Sequence, residues 1–187
     1  MRRCALVMVA LGLIGLACAG CARPAAEEYY HGPFVEAPPS VVTWQPYYST
    51  LADLVSNAEV IARVRILESR PYLHYHLVET NHVAAVERAY LGNPADTITV
   101  FQVGGQVGSA VTEYPDFPLL RPGQTYILFL RKRLDDSTRY LILGPRGAAE
   151  LVHGRLQVTP LDDNVTRVLH GITEETFKRQ LDSLFKD

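Results

Sequence analysis

Residues 58–69 read AEVIARVRILES, and their alternation decides the class of the fold. Val60, Ala62, Val64 and Ile66 fall on one side of an extended chain, and Ile61, Arg63, Arg65 and Leu67 on the other, because successive side chains of a strand point to opposite faces. Period two with two arginines on the second side predicts a strand with one buried face. Just before it, STLADLVSNA carries a Thr50-x-x-Asp53 box ahead of Leu51, Leu54 and Val55, the signature of a short capped helix.

The same alternation recurs downstream. ETNHVAAVERAYL, residues 79–91, reads as a second strand closed by Gly92-Asn93-Pro94, all turn formers. DTITVFQV follows and stops at Gly104-Gly105, while TYILFLRKRL, residues 125–134, is the most apolar run and is expected to be central. RYLILG comes next, and then AAELV, a His153-Gly154 turn and RLQVTPL read as a last hairpin. At the end, TEETFKRQLDSLFKD has Thr173 as a cap, with Glu174 and Glu175 in the first turn, where the helix dipole favours acids. Phe177, Leu181, Leu184 and Phe185 fall at helical spacing. Such a series of alternating strands, with turns about every ten residues and helices only at the ends, predicts a mainly β domain. Its expected form is a small, closed or nearly closed antiparallel barrel with a short N-terminal helix and a C-terminal amphipathic helix, since closure protects strand edges.

The front of the chain is of another kind. Arg2 and Arg3, an apolar run from Cys4 to Ala17 and then small residues form the pattern of an export signal. The run is short for a bilayer span, which needs about 20 apolar residues. Cleavage after CAG would leave Cys21 first, and the stretch LIGLACAGC resembles the bacterial lipoprotein signal, although Cys18 stands where that pattern prefers Leu. The resemblance implies a diacylglyceryl thioether on Cys21, with Cys18 in GLAC as a second, poorer match, and hence an exported protein held at a membrane of the cell envelope. A plain secretory signal is the alternative. Two acyl chains hold a soluble domain at a bilayer surface. The expected division is therefore a signal peptide over 1–20, a Pro-rich, aromatic-bearing tether over 21–49 and the barrel domain with its helix over 50–187.

Beyond Cys21 the chain has no cysteine, so the exported domain rests on its hydrophobic core rather than on disulfides. The formal net charge is −2 and the only basic run, Arg131-Lys132-Arg133, reads as a solvated strand end. Nucleic-acid binders show a clustered basic footprint, so no nucleic-acid partner is expected. The tether holds five prolines together with Trp44, Tyr47 and Tyr48. A pure spacer is poor in aromatics, so these rings either strap onto the domain or offer a contact surface.

NAEVIARVRI, then VERAYLGNPADTITVFQVGG, then LLRPGQTYILFL together resemble the OB-like barrel of the tissue inhibitors of metalloproteinases and netrin-type modules. The likeness spans roughly residues 50–160 and rests on turns and core positions, so it implies a fold. The inhibitors' mechanism needs a free amino-terminal cysteine pinned by disulfides, and neither accompanies the barrel in this sequence. Small exported bacterial proteins of unassigned activity that share the pattern look closer to this chain.

Few residues suggest chemistry. His74-x-His76 would place two imidazoles on one face of a strand, with Glu79 or His82 assisting. They are the candidates for a metal, against a solvated pair in a hairpin loop. GGQVGSAV lacks the Gly-x-Ser-x-Gly signature of a nucleophile, and its glycines read as a strand end and mobile loop. In EYPDFPLL, Tyr114 and Phe117 stand between prolines, as a contact surface or as a packed lid over one barrel end. LDDNVTR reads as a turn rather than a calcium loop. No catalytic residues and no cofactor beyond the lipid are expected. The sequence points to a lipid-anchored envelope binding module with an envelope protein as partner. An envelope hydrolase or metal carrier using histidines at the barrel mouth is the alternative.

Overall fold

The computed structural model describes residues 48–159 and 162–186. Helix α1, Leu51–Ser56, begins as its capping box predicts: Thr50 Oγ1 accepts from the Asp53 amide at 3.0 Å and the Asp53 carboxylate accepts from the Thr50 amide at 3.0 Å. Its Leu51, Leu54 and Val55 are buried. Strand β1, Val60–His74, and strand β2, Leu77–Leu91, make a long hairpin. β3 is Thr97–Val103, β4 Gly105–Val107, β5 Ala110–Thr112 and β6 Thr125–Lys132. β7 is Arg139–Ile142, β8 Ala148–Val152 and β9 Arg155–Val158, followed by α2, Asn164–Leu169, and α3, Glu174–Leu184.

The protein is thus mainly β. β1 pairs with β2 on one side and with β6 on the other, β2 pairs with β3, β3 with β7, and β7 with β6. Followed pair by pair, these five strands return to their start, and β8 and β9 extend the sheet beyond β6. The turns are uneven in strength, for β7 meets β3 and β6 over only three residue pairs each. The β3–β7 pairing is parallel, which departs from an all-antiparallel expectation. Parallel neighbours need a long crossover, and here β4, β5 and β6 fill it.

Two apolar cores lie on the two faces of the sheet. One holds Val64, Ile66, Ala84, Val100, Leu128, Leu130 and Ile142. The other packs Ile61, Ile127, Phe129 and Leu156 against Leu54, Leu169, Phe177 and Leu181 from the helices. β6 serves both, which explains its unbroken apolar run: Tyr126, Leu128 and Leu130 face the first core, Ile127 and Phe129 the second. It is central, as its composition predicts. Ile61, expected beside Arg63 and Arg65 on the open side, is fully buried because the helices cover that end of the second face.

Several local expectations are corrected. β1 runs past Ser69 through Pro71 to His74, because beyond Arg65 it no longer pairs with β6 and an edge tolerates proline. GGQVGSAV is the β4–β5 hairpin, whose Gly105 lies against Thr80 and Val78. LDDNVTR starts a helix: the Asp163 side chain caps α2 by accepting from the Thr166 amide at 2.8 Å and also pairs with Arg146 at 2.8 Å. α3 is capped by Thr173 as predicted and buries Phe177 and Leu181, whereas Phe185 lies half exposed at its end. Tyr48, assigned to the tether, is buried in the helix-side core.

Candidate functional site

The β1–β2 hairpin and the β6–β7 loop, residues 133–138, bring a chain of polar side chains together. Tyr72 on β1 donates its hydroxyl to Glu79 on β2 at 2.7 Å, and His74 Nδ1 lies 3.2 Å from the other oxygen of Glu79. From β7, Arg139 donates to the Tyr72 oxygen at 3.3 Å and is itself held by Asp136 at 2.7 Å. Arg133, at the end of β6, stacks its guanidinium 4.0 Å above the ring of Phe101 on β3 and forks onto Asp135 at 2.6 and 2.8 Å. Glu79 is nearly buried, so its oxygens rely on Tyr72 and His74 rather than on water for their hydrogen bonds.

The electrostatics follow from this packing. Burial first, then the hydrogen bond to Glu79 and its charge, push the Tyr72 hydroxyl up to about 12, so it remains a donor at any ordinary pH. The fork from Arg133 draws Asp135 down to about 2. Arg133 is held more firmly protonated by Asp135, with the charge of Glu79 adding to it. One of its terminal nitrogens, Nη1, is buried without a hydrogen-bond partner among the described residues. At the hairpin tip Tyr75 is 76% exposed, adopts a φ of 54°, and rests its ring 4.6 Å from that of His74. A left-handed conformation is uncommon for a non-glycine residue, and outliers of this kind collect at functional sites.

The predicted site residues divide accordingly. His74 enters the cluster as a partner of Glu79, but His76 stands in the two-residue turn after β1, so the two imidazoles do not share a strand face. Among the described residues no group of three or more His, Cys, Asp or Glu side chains is placed to hold a metal ion. Phe117 is 5% exposed and plugs the core enclosed by β1, β3 and β6, with Tyr114 packed beside it. A buried ring has little surface to offer, so the lid reading describes Phe117 and the contact reading does not. Arg133 is likewise no solvated strand end, since its side chain is only 15% exposed. Trp44, Cys18 and Cys21 lie outside the described residues.

Two further constellations were invisible in the sequence. Glu174, at the start of α3, accepts from Arg63 at 3.0 Å, from Arg88 at 3.2 Å and from the hydroxyl of Tyr90. This clamps the terminal helix onto β1 and β2. Ser69 Oγ lies 2.8 Å from His82 Nδ1, the spacing that a nucleophile and its base require. His82 is fully buried, however, and its Nε2 has no partner among the described residues, so no carboxylate orients the ring.

Compared with known proteins, the chain matches no family model and no curated protein. Among the described residues no helix is long and apolar enough to cross a membrane.

Proposed function

We propose that this chain is a lipid-anchored binding module of the cell envelope, built on an OB-like barrel that recognises its partner through the face around Tyr72, Tyr75, Glu79 and Arg139. The return of strand pairing through β1, β2, β3, β7 and β6, with β3 and β7 parallel, supports the barrel. OB barrels bind their ligands on the surface of the second and third strands and in the adjoining loops. The observation that carries the binding reading is the Asp136–Arg139–Tyr72–Glu79–His74 chain beside an exposed, strained Tyr75. It offers fixed donors and acceptors next to an aromatic ring, and the one hydroxyl of a serine or threonine joined to it, that of Thr138, donates to Asp136 rather than to a histidine. That arrangement favours recognition over hydrolysis, and the full burial of His82 beside a half-buried Ser69 argues the same way. A metal carrier based on His74 and His76 gains nothing from their placement on a strand end and a turn.

Photo-crosslinking in native membranes tests the module reading, with a photoreactive residue at position 75 and, as a control, at exposed Gln106. One dominant protein adduct from position 75 that disappears in Arg139→Ala supports it. Equal adducts from both positions, or adducts indifferent to Arg139→Ala, reject it. Anchoring is tested by metabolic labelling with palmitate, expected in the wild type and lost in Cys21→Ala. Retention of the label in that variant, with loss in Cys18→Ala, would move the anchor to Cys18.

A further inference from the structure

Residues 113–120 close one end of the sheet by burying Phe117 and Leu120, and one side chain holds them there. Gln102, on β3 and only 2% exposed, donates its amide to the carbonyl of Pro118 at 2.9 Å and to that of Phe117 at 3.4 Å. Its carbonyl oxygen accepts from the Leu120 amide at 3.2 Å. Every polar atom of the Gln102 side chain is therefore spent on this loop. Its neighbour on the same face of the sheet is His82, since Thr80 pairs with Gln102 and His82 with Val100, which makes the two side chains diagonal neighbours within reach of each other.

His82 is sealed. Ser69 satisfies Nδ1, and Nε2 is buried without a partner. We infer that His82 and Gln102 form an acid-released latch, in which a proton on His82 draws the Gln102 carbonyl away from Leu120 and frees the loop over residues 113–120. A neutral imidazole leaves one nitrogen unsatisfied at moderate cost. A protonated one carries N–H donors on both nitrogens, and an unpaired buried charge is far costlier. The other polar side chain beside His82 is that of Gln102, whose oxygen accepts from Leu120 and makes no hydrogen bond to Nε2 in the closed form. To accept from Nε2 the Gln102 amide must turn, and turning takes its oxygen off the Leu120 amide and its nitrogen off the two loop carbonyls.

Among the described residues no charged side chain acts on His82. β3 and the β4–β5 hairpin contain no titratable side chain. On β1, Glu68 and Arg70 pair with each other at the surface, at 2.6 Å. On β2, Glu79 is engaged by Tyr72 and His74. The loop itself brings Glu113, Tyr114 and Asp116. Burial lowers the pKa of His82 from 6.5 to about 4, with Gln102 acting in the opposite direction. The closed loop therefore resists protonation until the surroundings become distinctly acidic.

Amide hydrogen exchange of the full chain at pH 7.0 and pH 4.5, with each amide corrected for its intrinsic rate, tests the latch. Protection at Phe117, Leu119, Leu120 and Arg121 should fall roughly 60-fold at the lower pH, the ratio expected for a group that titrates near 4 closed and 6.5 open. β1 and β6 should keep theirs. In His82→Leu the loop should remain protected at both pH values, and in Gln102→Leu it should be open at pH 7.0 with no further response to acid. Unchanged protection of Leu120 in the wild type, or loss in step with β1 and β6, would overturn the inference. So would an acid response that survives in His82→Leu, or wild-type protection in Gln102→Leu at pH 7.0.

Discussion

At the scale of the residue, two backbone positions carry information that no contact supplies. Tyr75 holds a φ of 54° at a hairpin tip, a position for which glycine has no steric penalty. Its side chain is mostly in solvent, so little packing compensates. Tyr75→Gly is expected to leave the protein equally stable or up to about 1 kcal/mol more stable, as read by urea unfolding. A loss of more than that would show that the ring supports the fold rather than a partner. Gly105 is the opposite case. Its φ is 132°, and an added Cβ would stand 2.7 Å from Thr80 Oγ1, which is already bonded to the Gly104 carbonyl. Gly105→Ala should cost about 2 kcal/mol. An unchanged urea midpoint would mean that the β4–β5 hairpin can shift freely on β2.

At the scale of the element, α3 shows how one carboxylate can place a helix. Its apolar stripe, Phe177 and Leu181, packs on Phe129 and Tyr90, with ring centroids 5.9 and 5.5 Å from that of Phe177. Such a stripe sets which face is buried but tolerates sliding along the sheet. Glu174 removes that freedom by accepting from Arg63, Arg88 and Tyr90 at once. Burial pushes its pKa up, but the hydrogen bonds from Tyr90 and Arg63 and the charges of Arg63 and Arg88 outweigh that, so it titrates below the usual range. A lowered folded-state pKa stabilises the fold above the unfolded-state value of about 4.3 and ceases to do so as pH falls through the folded value. Glu174→Gln should therefore destabilise by about 2 kcal/mol at pH 7. The gap between variant and wild type should close toward pH 3. A gap that persists at low pH would mean that packing, and not the charge, was lost.

At the scale of the whole molecule, stability should decline in mild acid through His82, well before most carboxylates titrate. Its folded pKa of about 4 lies below the unfolded 6.5, so the unfolded chain takes up a proton that the folded chain refuses. Unfolding free energy should then fall from about pH 6.5 downward and level off near pH 4, by at most about 3 kcal/mol. His82→Leu should flatten that window, as followed by urea titrations across pH. The helix-side core extends to Tyr48, so Tyr48→Ala should cost about 3 kcal/mol although it lies ahead of the first helix. A neutral result would return Tyr48 to the tether. Much of the local structure was legible in the sequence: the Thr50 and Thr173 caps, the alternation from Ala62 to Leu67 and the His153-Gly154 turn all follow from steric and hydrogen-bonding rules acting over a few residues. The turn reading of LDDNVTR failed within the same range, because Asp163 serves turn and helix cap alike. What the sequence alone determined, then, was the identity of the strands outside the β4–β5 hairpin and of the helices α1 and α3. Only the tertiary structure decided that β3 lies parallel to β7, that Ile61 is covered, that Phe117 is a plug, and that Arg63 meets a glutamate 111 positions away. Strand pairing and burial depend on which surfaces meet when the chain closes on itself, and side chains that become neighbours in that way leave no mark on the spacing between them.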